Sequence, residues 1–199
     1  MLRSYTVADV LTVGNAASGT ICLFLCIDYM AFGDIRRLWI AIGLLPVALL
    51  FDVLDGYVAR LNRTRQSVLG ADLDSLADTI SFGVAPAVLG YTLGLRGGWD
   101  MVCLVYFVVC GVSRLARFNV TASALTDAGT GKVKYFEGTP IPTSIVIVGL
   151  LAVALYGGCV QDAIWFGSWQ IGPATLHPLV LIYVASGSAM ISTIRIPKP

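Results

Sequence analysis

The sequence predicts an all-α, polytopic membrane protein of about six transmembrane helices, built as one domain over residues 1–199. Three observations carry that prediction. Hydrophobic residues make up 57% of the chain and charged residues 13%, whereas a soluble domain carries about 25% charged residues. Too few polar side chains are left to coat a water-facing globule. The mean hydropathy is +0.82, and apolar runs near the length that crosses a bilayer recur between short polar connections. A net charge of +1 offers neither a basic surface for nucleic acid nor an acidic disordered tract, so no nucleic-acid partner is expected.

The predicted helices are residues 10–32, 38–60, 76–95, 99–118, 141–156 and 177–193. The second and third are shortened on hydropathy because charged residues occupy their facing ends. Connections are short except for 119–140, which is polar, and 157–176, whose Trp165 and Trp169 suit a membrane interface. Residues 2–9 are polar and the first apolar run leads to no small-residue cleavage site, so no removable leader is expected. Cys22, Cys26, Cys103, Cys110 and Cys159 lie in or beside apolar runs without Cys-x-x-Cys spacing, which reads as buried small side chains. His177, just before Pro178, reads as a helix-start residue.

Basic residues set the orientation. With a cytoplasmic N-terminus, ten Lys and Arg face the cytoplasm, from Arg3 through Arg60, Arg114 and Lys134 to Lys198, and three (Arg36, Arg37, Arg96) face the other side. The bias puts both termini in the cytoplasm. The membrane would be the endoplasmic reticulum in a eukaryote and the cytoplasmic membrane in a prokaryote.

Carboxylates at membrane depth are the chemical signal. Asp52 and Asp55 share a face at the end of the second helix by i, i+3 spacing. Asp74 and Asp78 do the same at the start of the third by i, i+4 spacing. A tight connection lets both pairs aim at one point. Four clustered anions would repel each other and resist desolvation, which costs about 3 kcal/mol for one Asp at a helix centre. Divalent cations remove both problems. All-oxygen ligation favours Mg²⁺ or Mn²⁺, with Ca²⁺ also compatible, and four carboxylates suffice to bridge two ions. The competing reading makes these residues helix-end partners, Asp74 and Asp78 of the helix dipole and Asp52 and Asp55 of Arg60 and Arg63. Four acids converging from two adjacent helices favour the metal site. Gly56 and Ala59 clear space beside Asp55, Arg60 offers a fork for phosphate oxygens, and Gly70 precedes the third helix. Together these point to a diphosphate substrate.

The string Asp52-Val-Leu-Asp55-Gly56-Tyr-Val-Ala59-Arg60, nine residues, Gly70-Ala-Asp-Leu-Asp74-Ser-Leu-Ala-Asp78 resembles the signature of the CDP-alcohol phosphotransferase family. The segments Leu73–Pro86, Arg114–Asn119 and Lys134–Pro142 are similar to the branch of that family whose acceptor is L-serine. The resemblance implies that Asp52 and Asp74 bridge two divalent ions, with Asp55 on the first and Asp78 on the second. Asp78 would also be the general base. Asn15, Ser18, Gly56, Ala59, Arg60, Ser67 and Gly70 would surround the CDP-lipid. It further implies phosphatidyl transfer from CDP-diacylglycerol to the serine hydroxyl with release of CMP, in a homodimer surrounded by membrane lipid.

Serine carries a carboxylate and an ammonium group, so its pocket needs a cation and an acceptor. Arg117, Lys134, Arg114, Asn119 and Glu137 are the candidates. Arg114 serves equally as a positive-inside anchor reaching lipid headgroups. Three alternatives stay open: another alcohol acceptor, an ether-lipid donor, and a cation or proton transporter using intramembrane carboxylates. The transporter reading expects carboxylates near the midplane in two related halves. This sequence gathers them at one face and has no repeat.

Overall fold

The computed structural model describes residues 6–61, 70–127, 135–192 and 195–197. It is mostly helical. Helix α1 (Val7–Phe32) starts with Thr6 and Asp9 capping each other, Thr6 N donating to Asp9 Oδ2 at 2.7 Å and Asp9 N to Thr6 Oγ1 at 3.3 Å. It ends at Gly33, whose φ of 71° puts the chain in the left-handed region that glycine tolerates. Two residues later α2 (Ile35–Leu61) returns antiparallel to it.

The third span begins at Gly70, earlier than the hydropathy suggests, so the aspartates at 72, 74 and 78 are helical. It runs as α3 (Gly70–Asp78), a π-helical segment Thr79–Val84, and α4 (Ala85–Leu93). Pro86 explains the wide turn. A proline has no N–H and its ring crowds the carbonyl four residues back. Widening the helix there leaves Ala85 N–H to donate to the Ile80 carbonyl, five residues back. Helix α5 (Gly98–Asp127) also outruns its expected end at 118, because neither Gly nor Pro interrupts residues 112–128.

Two shorter apolar helices follow. A 3₁₀ turn Ile141–Ser144 leads into α6 (Ile145–Tyr156), and another at Pro178–Val180 leads into α7 (Leu181–Ile191). Strand β1 (Tyr135–Glu137) pairs antiparallel with β4 (Arg195–Pro197). Between α6 and α7, β2 (Trp169–Ile171) and β3 (Ala174–Leu176) form a hairpin. Its turn, Gly172-Pro173, has Gly172 at φ 62°, as a type II′ turn requires. The helices α1, α2, residues 70–93 and residues 98–120 are long and apolar enough to cross a membrane.

Large apolar side chains such as Phe24, Ile27, Val53, Val102, Val105 and Val109 point outward, as they must where the solvent is lipid. The third span is the central one. In its most apolar stretch 67% of residues are buried, against 33% in each of the other three long spans. Phe82, Leu89 and Leu93 pack there with Leu38 and Leu45 of α2 and Phe107 of α5. The Tyr183 ring of α7 meets Phe107 edge-on at 5.3 Å, and its hydroxyl donates to the Pro86 carbonyl at 2.8 Å. All five cysteines are free, three of them buried.

The end of the bundle where α1 stops and α5 starts is closed by polar fasteners. Asp100, fully buried, accepts from Gly97 N–H and His177 N–H, each at 2.8 Å, and its Oδ2 lies 2.5 Å from His177 Nδ1. Gln161 donates to the Tyr29 hydroxyl at 3.0 Å and the Trp99 indole to the Ile171 carbonyl at 2.9 Å. His177 is thus a helix-start tether, as its position before Pro178 suggested.

Candidate metal and active site

The site lies at the opposite end, where α1 begins, α2 ends and α3 begins. Buried residues of α1 recur three or four apart, with Thr12, Asn15, Ser18, Gly19, Cys22 and Cys26 among them. This stripe faces α2 and the third span. Two of its polar members reach the carboxylates of the neighbouring helices. Thr12 Oγ1 donates to Asp55 Oδ2 at 2.7 Å, and Asn15 Nδ2 donates to Asp78 Oδ1 at 3.1 Å.

Carboxylate oxygens of Asp52, Asp74 and Asp78 lie within 4.8 Å of one another. Asp55 stands beside the trio, one turn beyond Asp52, and repels it. Asp55 and Asp78 are each only 6% exposed. Among the described residues the ion pairs form elsewhere, Arg37 with Asp28 and Asp34, and His177 with Asp100. Asp74 Oδ1 is buried without a hydrogen-bond partner. A buried carboxylate oxygen without a hydrogen-bond partner, beside two further carboxylates, is the arrangement a hard divalent ion completes. The donor set fits Mg²⁺ or Mn²⁺ and is wrong for zinc.

Space beside these acids agrees with their spacing in the sequence. A methyl group built on Gly56 would meet nothing within 4 Å. Ala59 and Arg60 are exposed, and Arg60 Nε donates to the Gly56 carbonyl at 2.9 Å. Gly70 opens α3. Ser18 is buried one turn deeper than Asn15, its hydroxyl donating to the Gly14 carbonyl at 2.9 Å within its own helix.

From α5, Asn119 Nδ2 donates to Ser75 Oγ at 2.9 Å, which brings the α5 end against α3. Arg114 is 9% exposed, its Nε has no partner, and it is close enough to feel the Asp78 charge. Arg117 is exposed on the same helix. Glu137 lies in β1. Ser67 and Lys134 lie outside the described residues. Sequence reasoning missed Thr12 and Ser75. Thr12 is one turn before Asn15 on the same face, a signal that was available. Ser75 lies between Asp74 and Asp78 of α3 and looks like an ordinary helix-surface polar residue.

Two kinds of comparison bear on this geometry. The family model described as CDP-alcohol phosphatidyltransferase matches residues 5–185, a span that includes every carboxylate above. A CDP-diacylglycerol–serine O-phosphatidyltransferase of Saccharomyces cerevisiae is 41% identical over 202 aligned residues, covering 100% of this chain and 73% of that protein. A protein of the same name from Methanocaldococcus jannaschii is 32% identical over 193 residues, covering 97% of this chain and 74% of its own length. The archaetidylserine synthase of Methanothermobacter thermautotrophicus is 39% identical over 142 residues, covering 70% and 54%. With a family match over nearly the whole chain and the four aspartates of the family signature gathered at one end of the bundle, the chain belongs to the CDP-alcohol phosphatidyltransferase family.

Proposed function

We propose that the protein transfers the phosphatidyl group of CDP-diacylglycerol to the hydroxyl of L-serine, giving phosphatidylserine and CMP. The observation that carries this is the convergence of Asp52, Asp74 and Asp78 in a chain similar over its full length to enzymes named for that reaction. Family membership leaves the cation-transporter alternative without support.

Asp52, Asp55, Asp74 and Asp78 would hold two divalent cations, Mg²⁺ or Mn²⁺, which supply charge neutralisation for the diphosphate and the departing CMP. The protein's own groups do the rest. Asn15, Ser18, Gly56, Ala59, Arg60, Ser67 and Gly70 bind the CDP-lipid, and Arg60 supplies a guanidinium for phosphate oxygens. The serine oxygen attacks the lipid-side phosphorus, its proton passes to the Asp78 carboxylate, and the bond to the CMP oxygen breaks with CMP keeping the electron pair. Asn15 holds the Asp78 carboxylate in place for that transfer. The serine zwitterion is bound by Arg117 and Lys134 with Arg114, Asn119 and Glu137. The buried Arg114 Nε without a hydrogen-bond partner supports this, since a buried donor left unsatisfied is costly unless a substrate anion reaches it.

A single domain over residues 1–199 with both termini on the cytoplasmic side puts the site at the membrane surface. Acyl chains then stay in lipid while serine arrives from water. That surface is the endoplasmic reticulum or the cytoplasmic membrane, according to the organism. The assembly is a homodimer. The archaetidylserine synthase relative favours one variation, an ether-linked donor. The test is CMP release by purified protein in detergent with Mn²⁺ or Mg²⁺, ester- and ether-linked CDP-lipids, and acceptors supplied singly. Release with L-serine alone is expected. Release with glycerol phosphate or inositol phosphate instead would move the acceptor assignment.

A further inference from the structure

We infer that Ser81 is a positioning residue for Asn15 and, through it, for Asp78, an inference that rests on the phosphatidyl-transfer reading of the site. Ser81 lies in the π-helical segment, wholly buried, and its hydroxyl donates to the Asn15 backbone carbonyl at 2.8 Å. The side chain of that same Asn15 donates to Asp78 at 3.1 Å. Helix α1 and the third span both begin at the carboxylate end and run side by side in the same direction. In a helix the side chain leans toward the N-terminus and the carbonyl points toward the C-terminus. Asn15 is therefore gripped at both ends by one partner helix, by Asp78 on the site side and by Ser81 on the deeper side.

The grip depends on backbone proximity. A methyl group on Gly19 would lie 2.5 Å from Ser81 Oγ and 2.8 Å from Ser81 Cα, so only glycine there lets the hydroxyl reach α1. The Asn15 carbonyl lies in a helix interior, where it already accepts from the backbone four residues on. The Ser81 bond is therefore not needed to satisfy it. Its effect is to fix the height and rotation of Asn15 against the third span. Asn15 Oδ1 is left buried and unpartnered, so the side chain has no second anchor of its own. Among the described residues the Ser81 hydroxyl hydrogen-bonds to the Asn15 carbonyl and to no carboxylate, and so acts through Asn15.

The experiment is a double-mutant cycle between Ser81→Ala and Asn15→Ala, reading CMP release and, separately, Mn²⁺ binding by calorimetry on the detergent-solubilised protein. Ser81→Ala is expected to fold and to lower kcat about fivefold, the usual weight of one hydrogen bond. It should weaken Mn²⁺ binding to a similar degree and change neither value further in the Asn15→Ala background. Ser81→Cys, a weaker donor of similar size, should give a smaller loss with the same dependence on Asn15. Wild-type kcat and Mn²⁺ affinity in folded Ser81→Ala or Ser81→Cys would overturn the inference. So would losses that multiply independently in the double variants. Absence of CMP release by the wild-type protein with any acceptor would instead count against the phosphatidyl-transfer reading, while the Mn²⁺ arm still reports on Ser81.

Discussion

At the scale of single residues the acidic cluster is built against stability. Asp74 has an unsatisfied buried oxygen and two carboxylates within 4.8 Å, a configuration natural proteins tolerate where function requires it. Asp74→Asn should therefore raise the metal-free melting temperature while lowering CMP release by more than about a hundredfold, since a metal ligand is lost. Mn²⁺ should raise the melting temperature of the wild type and not of this variant, because a ligand that binds only the folded state stabilises it by mass action. Thermal unfolding in detergent with and without chelator checks both, and an unchanged metal-free melting point would remove the repulsion argument. The four aspartates were legible from spacing alone, because i, i+3 and i, i+4 place each pair on one face. Their donors were not. Thr12 lies 43 residues before Asp55 and Asn15 lies 63 before Asp78, and nothing local announces which helix will pack against which.

At the scale of elements, the number and type of helices follow from hydropathy, while their ends follow from backbone chemistry that hydropathy does not see. Five of the nine residues 119–127 are polar, yet without Gly or Pro the helix α5 continues through them. Packing between α4 and α7 is similarly specific. A Cβ on Gly90 would run into the Tyr183 hydroxyl and lie 3.0 Å from its Cζ. Gly90→Ala should therefore lower the melting temperature well below that of Tyr183→Phe, which loses only the hydroxyl's bond to Pro86, about 1 kcal/mol. The double variant should recover part of the Gly90→Ala loss. Additive losses would mean that Tyr183 already moves aside. Neither variant touches the carboxylates, so turnover by the folded protein should hold.

At the scale of the whole molecule the two ends of the bundle differ in kind. One end is closed by neutral and charged hydrogen bonds centred on Asp100; the other gathers acids with few donors. His177→Ala should leave Asp100 with its backbone donors and lower the melting temperature by about 5 °C. The kinetic constants should not change, because the lesion lies at the far end from Asp78. A matching loss of kcat would show that the ends are coupled. The pairing of β1 with β4, with Thr139 N donating to the Ala189 carbonyl at 3.2 Å, joins the segment that carries Glu137 to the end of α7. Deleting residues 193–199 should accordingly raise the KM for serine while sparing Mn²⁺ affinity. None of these long-range ties was readable from composition.

The π-helical segment has a mechanical meaning at this scale. A straight helix transmits rotational phase along its length, so a carboxylate at one end and a packing face at the other cannot be oriented separately. One wide turn at 79–84 acts as a fixed phase shifter between them. Asp74 and Asp78 are thereby indexed to α1 and α2, while Ala85–Leu93 is indexed to the apolar interior. Removing a single residue from that turn would swing the acids by about 100° relative to the rest of the helix, leaving a well-packed protein whose carboxylates no longer meet.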